Sequence, residues 1–226
     1  MSDALAVFAK QPIAGRVKTR LQTLLDAAGA AEMYRAFLVD SVHQYISLNK
    51  RIYLYLDRHS ADQSIVRELP DVDVRYQLGA DLSERMRNAS LDMFAAGHER
   101  CAIIGTDHPS LPLPFIQEAF NSLVDPMSMT IGPSEDGGYY LVGMNDFFPA
   151  LFDGMTFSHE RVFGDTLDRA VASSASVTVL PIWYDVDTPD QLPRLYVDLL
   201  ADPLQAPRTL ALLEKLASQH AWTRSV

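Results

Sequence analysis

The chain has 226 residues, a formal net charge of −10 and a pI near 4.9. This length favours one domain. The acidity argues against nucleic acid as the main partner, because phosphate backbones are bound through basic surface. The single cysteine, Cys101, excludes an internal disulfide. No apolar run approaches the roughly 20 residues that span a bilayer, and the N-terminus lacks a signal-peptide pattern, so we expect a cytoplasmic protein that does not bind membranes.

Short apolar runs and periodic patterns predict strands that alternate with helices along the chain. The predicted strands are Ala4–Ala9, Arg51–Asp57, Val72–Tyr76, Cys101–Gly105, Met127–Gly132, Tyr139–Gly143 and Val177–Leu180. The predicted helices are Leu21–Ser47 (with a break at Gly29 left open), Ser60–Leu69, Asp81–Gly97, Pro114–Val124, Phe147–Phe152, Glu160–Ala172, Asp190–Leu200 and Arg208–Ser218. This alternation is typical of parallel βαβ units. The close pair of strands around Gly137 and Gly138 adds one antiparallel strand, so we expect an α/β fold with a mixed sheet.

The loop after the first predicted strand is dense in cations. Four of the 19 Lys and Arg residues of the chain lie within it, namely Lys10, Arg16, Lys18 and Arg20. Pro12 and Gly15 interrupt any regular element there. In α/β proteins such a loop and the helix after it bind phosphate through backbone N–H groups and cations. A solvated basic loop is the alternative, and the residues alone leave both interpretations open.

Three aspartates follow predicted strands. Asp107 comes directly after the apolar strand that ends at Gly105, where its carboxylate can hold a hard cation such as Mg²⁺ or simply stabilise the turn before Pro109. Asp185 and Asp187 alternate, so on an extended segment both point to one face and can reach one ion. The alternative is that they mark a strand end before a capped helix.

The segment Ser134–Gly138 has the composition of a tight turn. Its adjacent glycines, Gly137 and Gly138, also let a ligand approach the backbone. His108 is the histidine next to a candidate site, although a single histidine in such a place more often has a structural role.

Taken together, five segments resemble the small bacterial transferases of the glycosyltransferase-A (nucleotide-diphospho-sugar transferase) superfamily. The nearest resemblance is to the radical-SAM/selenodomain-associated transferase 1 group, the arsenosugar-biosynthesis-type glycosyltransferases. The segments are FAKQPIAGRVKTRL (8–21), QLGADLSERM (77–86), IGTDHPSL (104–111), GPSEDGGYYLVG (132–143) and DVDTPDQL (185–192). The resemblance implies a single-domain three-layer α/β/α sandwich with a mixed, mainly parallel sheet. Three positions depart from the pattern: Ser83 replaces Gly, His108 replaces Cys, and Phe157-Ser158-His159 replaces Trp-Ser-Thr.

The resemblance and the candidate residues together give an expected site. The expected metal ligands, for Mg²⁺ or Mn²⁺, are Asp107, Asp187 and Asp185. The expected nucleotide-binding residues are Lys10, Gly15, Arg16, Lys18, Arg85 and Thr106. The expected substrate-binding residues are His108, Gly137, Gly138 and Tyr139. The expected catalytic residues are Asp107, Lys18 and Asp136, of which Asp136 is the candidate general base.

We therefore expect a metal-dependent glycosyltransferase that uses a nucleotide-diphospho-sugar donor and a small-molecule acceptor. Two alternatives remain open. One is a nucleotidyltransferase that resembles phospholactate guanylyltransferases and joins a nucleoside triphosphate to a phosphorylated small molecule. The other is a nucleotide-binding module without turnover. Fold alone does not decide among them.

Overall fold

The computed structural model describes residues 2–58, 64–69, 72–157 and 159–220. Seven strands form one sheet in the order β3-β2-β1-β4-β6-β5-β7. Their bounds are β1 Asp3–Ala9, β2 Arg51–Leu56, β3 Asp73–Tyr76, β4 Arg100–Ile104, β5 Ser128–Pro133, β6 Tyr139–Met144 and β7 Ser176–Val179. Strand β6 runs antiparallel to β4 and β5, and the other pairs are parallel. The predicted mixed, mainly parallel sheet is thus confirmed.

Helices cover both faces of this sheet. They are α1 Ala27–Tyr45, α2 Ser64–Glu68, α3 Leu82–Ala95, α4 Leu113–Asn121, α5 Val162–Ala172, α6 Leu192–Ala201 and α7 Pro207–His220. Short 3₁₀ turns lie at Thr19–Thr23, Ile46–Leu48, Pro149–Leu151 and Pro189–Gln191. No described helix has the length and apolar character that crossing a membrane requires.

The alternation of side chains along β1 explains the three layers, because successive residues of a strand point to opposite faces. Leu5 and Val7 are buried against α1, α2 and α4 on one face. Ala4 and Ala6 are buried against α3 and α5 on the other. A third apolar cluster joins α1, α6 and α7. The chain therefore forms the expected α/β/α sandwich.

The helix predicted over Leu21–Ser47 was wrong at its start. Helix α1 begins at Ala27 because the carboxylate of Asp26 accepts a hydrogen bond from the backbone N–H of Gly29 at 2.7 Å and caps it. Gly29 therefore lies in the first turn and does not break the helix. The cationic loop is followed only by a 3₁₀ turn, so no α-helix N-terminus directly follows it, contrary to the sequence-based expectation.

Other boundaries differ less. The segment predicted as a helix at Phe147–Phe152 contains only a 3₁₀ turn at Pro149–Leu151, since Pro149 begins it and the chain turns away at Gly154. Of the predicted helix Ser60–Leu69, the described part is helical over Ser64–Glu68, and residues 60–63 lie outside the described residues. The predicted cap of α3 is present, because the carboxylate of Asp81 accepts a hydrogen bond from Glu84 N at 2.9 Å.

Candidate active site

The loops that follow β1 and β4 and the segment after β7 meet at one edge of the sheet, where parallel α/β proteins place their ligands. The backbone N–H of Val186 donates to the carbonyl of Asp107 at 2.7 Å, which fixes the last two of these segments together. In the first loop, Gly15 has a φ of +77° and Lys18 a φ of +44°. Gly15 adopts this left-handed conformation at little cost. The resulting turn directs the side chain of Lys18 inward.

Lys18 pairs with two carboxylates that are distant from it in sequence. Its Nζ lies 2.5 Å from Asp107 Oδ1 and 2.8 Å from Asp187 Oδ1, and its side chain is only 4% exposed. Burial disfavours the ammonium ion, but the charges and hydrogen bonds of the two carboxylates raise the pKa of Lys18 above its usual value. Lys18 therefore offsets one of the two negative charges of this pair of aspartates.

Asp185 has different partners from Asp187, although the two side chains alternate on the same segment. Its Oδ2 accepts a hydrogen bond from Ser134 Oγ at 2.5 Å, and its Oδ1 lies 3.4 Å from Nδ1 of the buried His108. Burial alone would raise the pKa of Asp185, but these partners and the charge of Lys18 lower it. Asp187 thus faces Asp107, whereas the oxygens of Asp185 face His108 and Ser134. That the aspartates bind one ion stays a prediction.

A pocket of about 620 Å³ lies against this carboxylate pair. We call it the basic pocket, because Lys10, Arg16, Lys18, Arg20, Arg58 and Arg85 line it. Thr106 lines it as well, and its hydroxyl lies 3.0 Å from that of Tyr34, which accepts a hydrogen bond from Lys10 N. The residues expected to bind a nucleotide thus lie together in this pocket, apart from Gly15, which shapes the loop.

A second pocket of about 680 Å³ adjoins the first. We call it the aromatic pocket, because Phe8, Tyr139, Tyr140 and Phe157 line it together with Leu82, Met86, Ile103 and Val162. Arg20, Asp107 and Asp187 line both pockets and form their junction.

The predicted turn at 134–138 borders the aromatic pocket. Asp136 and Gly138 line it, and Asp136 Oδ1 accepts a hydrogen bond from Gly138 N at 2.9 Å. Gly137 has a φ of +90°, and a Cβ there would lie 2.0 Å from the carbonyl oxygen of Glu160. Gly137 therefore allows the backbone to pack closely against the segment before α5.

His108, which was expected to bind substrate, is buried between Asp185 and Tyr140 and lines neither pocket.

Several lining residues were given no role from the sequence. Arg20 belongs to the cationic loop, but the sequence predicts no separate role for it. In the structure it lies at the junction of the two pockets, 3.7 Å from Asp187. Gln77 donates from Nε2 to the carbonyls of Ala9 at 3.2 Å and Tyr55 at 2.9 Å, so it ties the ends of β1 and β2 beside the basic pocket. Gln77 directly follows the predicted strand Val72–Tyr76, and this position was the sequence feature that could have indicated a place near the site. Phe8, at the end of β1, carried no signal beyond the strand pattern.

The carboxylate pair fits a hard divalent cation. Both oxygens lie within 2.8 Å of one Nζ, so they converge on one cation, and Mg²⁺ commonly takes one or two carboxylates and completes its shell with water and phosphate oxygens. Among the described residues there is no cluster of three or more Asp, Glu, His or Cys side chains that would hold a metal by themselves. The chemistry of this donor set therefore requires a ligand to supply the remaining oxygens.

Comparison with solved structures defines the class of fold. The chain is 32% identical to a protein from Desulfovibrio desulfuricans G20 that bears the provisional name nucleotide-diphospho-sugar transferase, with a TM-score of 0.90 and 96% of each chain covered. A cytidylyltransferase from Leptospira borgpetersenii serovar Hardjo-bovis (strain JB197) is 9% identical, with a TM-score of 0.60 and coverage of 100% and 98%. A 4-diphosphocytidyl-2C-methyl-D-erythritol synthase is 12% identical, with a TM-score of 0.50 and coverage of 89% and 99%. The last two share the fold alone. The protein has the nucleotide-diphospho-sugar transferase fold, as expected, and the expectation of a transferase agrees with the name of the 32% identical relative.

The family follows from the sequence itself. Residues 38–159 match the family described as "Uncharacterized protein conserved in bacteria (DUF2064)". The chain belongs to this family. No protein with a curated function matches the sequence.

Proposed function

We propose that the protein is a metal-dependent glycosyltransferase that moves a sugar from a nucleotide-diphospho-sugar to a hydroxyl group of a small-molecule acceptor. The observation that carries this proposal is the junction of the two pockets at Asp107, Asp187 and Arg20. A group transfer needs a donor site and an acceptor site that open onto one another. Here a cation-rich pocket and an aromatic pocket do so beside a carboxylate pair.

The basic pocket suits the nucleotide diphosphate. Arg16 and Arg20 come from the first loop, and Arg85 comes from the first turn of α3, where its Nε donates to the carbonyl of Gly79 at 3.1 Å. Guanidinium groups make strong, charge-assisted hydrogen bonds to phosphate. As the bond to the sugar breaks, negative charge grows on the leaving diphosphate, and cations already in place stabilise it without reorganisation.

Asp107 and Asp187 would hold Mg²⁺ or Mn²⁺. When bound, such an ion would act as a Lewis acid on the phosphate oxygens of the donor. Lys18 competes for the same carboxylate oxygens. We therefore expect the ion to bind weakly unless a nucleotide supplies further oxygen ligands.

Asp136 is the candidate general base. One of its oxygens is fixed by Gly138 N, and the residue lines the aromatic pocket. The other carboxylate oxygen of Asp136 can accept the proton of an acceptor hydroxyl while the hydroxyl oxygen attacks the sugar.

The charge of the aromatic pocket favours glycosyl transfer over nucleotidyl transfer. A nucleotidyltransferase of the phospholactate guanylyltransferase type must hold a phosphorylated acceptor. The charged residues that line this pocket are Asp107, Asp136 and Asp187, with Arg20 at the junction. Asp107 and Asp187 are paired with Lys18, whereas no ion pair of Asp136 is found among the described residues. Bringing an acceptor phosphate next to Asp136 costs electrostatic energy, whereas a neutral acceptor avoids that cost. Membership of the arsenosugar-biosynthesis-type group stays part of this proposal.

A thermal-shift screen tests the proposal, because a ligand that binds only the native state raises the melting temperature. We expect nucleotide sugars and nucleoside diphosphates to raise it more with Mn²⁺ than without. Arg16→Ala should reduce this shift, whereas Arg51→Ala, at the opposite end of the sheet, should keep it. A shift caused by nucleoside triphosphates and phosphorylated acids, with none from nucleotide sugars, would favour the nucleotidyltransferase. Nucleotide binding with no turnover of nucleotide sugars or of nucleoside triphosphates would favour a nucleotide-binding module without catalysis.

A further inference from the structure

We infer that the aromatic pocket takes an uncharged alcohol whose hydroxyl group is carried by an aromatic or alicyclic ring. This inference rests on the proposed function, since it names the acceptor of that reaction. It is carried by the aromatic side chains in the walls of the pocket, by the scarcity of unengaged polar side chains away from the junction, and by the charge of Asp136.

Away from the junction, the walls are mainly apolar side chains with an aromatic edge. The rings of Tyr139 and Phe157 pack at 6.1 Å with an interplanar angle of 77°. The Tyr139 hydroxyl lies 4.0 Å from the sulfur of Met86, which also lines the pocket, and burial raises the pKa of Tyr139 above the usual range, so it stays neutral. Such rings bind another ring through apolar contact and through edge or face geometry. The pocket therefore suits a ring better than a flexible polar chain.

Away from the junction, few side chains that line the aromatic pocket have unengaged hydrogen-bonding atoms. His159 is engaged at both nitrogens, because Nε2 lies 3.0 Å from the carbonyl of Thr156 and Nδ1 accepts from Arg161 N at 3.3 Å. The Tyr140 hydroxyl donates to the carbonyl of Pro181 at 2.9 Å. Among the described lining residues away from the junction, Asp136 is therefore left with a carboxylate oxygen that has no partner. A polyhydroxylated acceptor would bury hydroxyl groups without partners, which is costly. One hydroxyl, placed at Asp136, is what these walls can satisfy.

The negative charge of Asp136 disfavours an acid or a phosphate ester as the acceptor. Arg20 is the cation that lines the pocket, and it already faces Asp187 at 3.7 Å. Arg161 follows the pocket segment, but its Nε lies 3.5 Å from Asp165 and its side chain is 73% exposed. Lys18 offsets the charge of Asp107 and Asp187, but among the described residues no cation pairs with Asp136. An anionic acceptor placed at Asp136 would therefore meet an unpaired carboxylate.

The reaction balances with such an alcohol. The acceptor oxygen forms a bond to the anomeric carbon of the donor sugar, and the bond from that carbon to the diphosphate oxygen breaks. The electron pair of the broken bond stays on the nucleoside diphosphate. The hydroxyl proton goes to Asp136 and then to water, so the products are a glycoside, a nucleoside diphosphate and a proton.

Binding of 2-naphthol tests this inference on the intact protein, with glucose and 3-phosphoglycerate as the polyol and anionic probes. We expect 2-naphthol to raise the melting temperature, and the other two not to. Phe157→Ala should weaken 2-naphthol binding about tenfold, as expected for a lost ring contact. Phe147→Ala is the matched control, because Phe147 packs against Phe152 away from both pockets. If Phe157→Ala does not fold, Phe157→Leu keeps apolar volume without the ring and should still lose affinity.

The outcomes separate this inference from the proposed function. A response to nucleotide sugars with none to 2-naphthol contradicts only the acceptor class. So does a larger response to glucose or 3-phosphoglycerate, or 2-naphthol affinity that is unchanged in both Phe157 variants. A 2-naphthol response without any nucleotide response contradicts the glycosyltransferase and, with it, the assignment of the alcohol as its acceptor.

Discussion

The ammonium of Lys18 lies 2.8 Å from the carboxylate of Asp187, although 169 positions separate the two residues in the sequence. The same ammonium reaches Asp107 at 2.5 Å. Lys18 therefore holds together the two side chains proposed to bind a divalent ion. This gives Lys18 two competing sets of partners, the carboxylates in the free protein and the phosphates of a bound nucleotide.

Lys18→Met should change metal and nucleotide binding in opposite directions. Without the ammonium, Asp107 and Asp187 repel each other and gain from any cation, so Mn²⁺ should bind more tightly in the absence of nucleotide. Nucleotide should bind at least about tenfold more weakly, because a charge-assisted hydrogen bond contributes roughly 1.5–3 kcal/mol. Isothermal titration of each ligand measures both effects. Lys215→Met, on the exposed face of α7, is the control, and equal Mn²⁺ affinity in the Lys18 variant and the native protein would refute the competition.

The three aspartates should separate into two classes. Asp107→Asn and Asp187→Asn should abolish the Mn²⁺-dependent part of nucleotide binding, since each removes one proposed ligand. Asp185→Asn should keep that dependence and instead lower the free energy of unfolding by about 1–3 kcal/mol, because it disturbs the buried contacts to His108 and Ser134. Mn²⁺ titration and urea unfolding of the same three proteins distinguish the classes. Loss of Mn²⁺ dependence in Asp185→Asn at unchanged stability would instead make Asp185 a ligand.

Gly137→Ala should be more destabilising than Gly97→Ala. Both glycines have φ near +90°, so the backbone cost for an alanine is similar, roughly 1–3 kcal/mol. A Cβ on Gly97 meets nothing within 4 Å, whereas one on Gly137 meets the backbone of Glu160. The difference between the unfolding free energies of the two variants therefore measures the clash of the added Cβ with the Glu160 backbone. Equal values would mean that the 134–138 turn moves freely away from α5.

His98 should make the protein less stable in mild acid. Burial, together with the charges of Arg75 and Arg51, lowers the pKa of His98 below its ordinary value of 6.5, while Asp3 acts weakly in the opposite direction. The unfolded chain then binds a proton more readily than the folded one, so the free energy of unfolding falls as the pH drops below 6.5. Chemical denaturation between pH 7.5 and pH 5 should show a smaller decrease in His98→Gln. An equal decrease in both proteins would assign the acid sensitivity to other groups.

Sequence patterns located most of the fold because its elements are locally encoded. The apolar runs gave each strand to within a few residues, and the spacing of Asp81 and Glu84 gave the start of α3. The patterns failed where a single contact decided the outcome. Asp26 caps α1 through Gly29 N, so Gly29, where the sequence left a helix break open, lies in the first turn.

The site was less accessible to sequence reasoning than the fold. The alternation of Asp185 and Asp187 indicated a shared face, but the partners of Asp185 come from Ser134 and His108, which only the folded sheet brings to it. Lys18 was expected beside phosphates, and its pairing with two distant carboxylates depends on the left-handed turn that begins at Gly15. The aromatic pocket is assembled from segments spread between Phe8 and Asp187, so no local motif predicts it.

Identification of the released nucleotide product tests the central claim most directly. The protein is incubated with Mn²⁺ and a pool of nucleotide sugars plus 2-naphthol, and separately with nucleoside triphosphates plus phosphorylated small acids. The glycosyltransferase predicts a nucleoside diphosphate from the first mixture, lost in Asp107→Asn and retained in Arg51→Ala, and no pyrophosphate from the second. Pyrophosphate from the second mixture, without nucleoside diphosphate from the first, would contradict it.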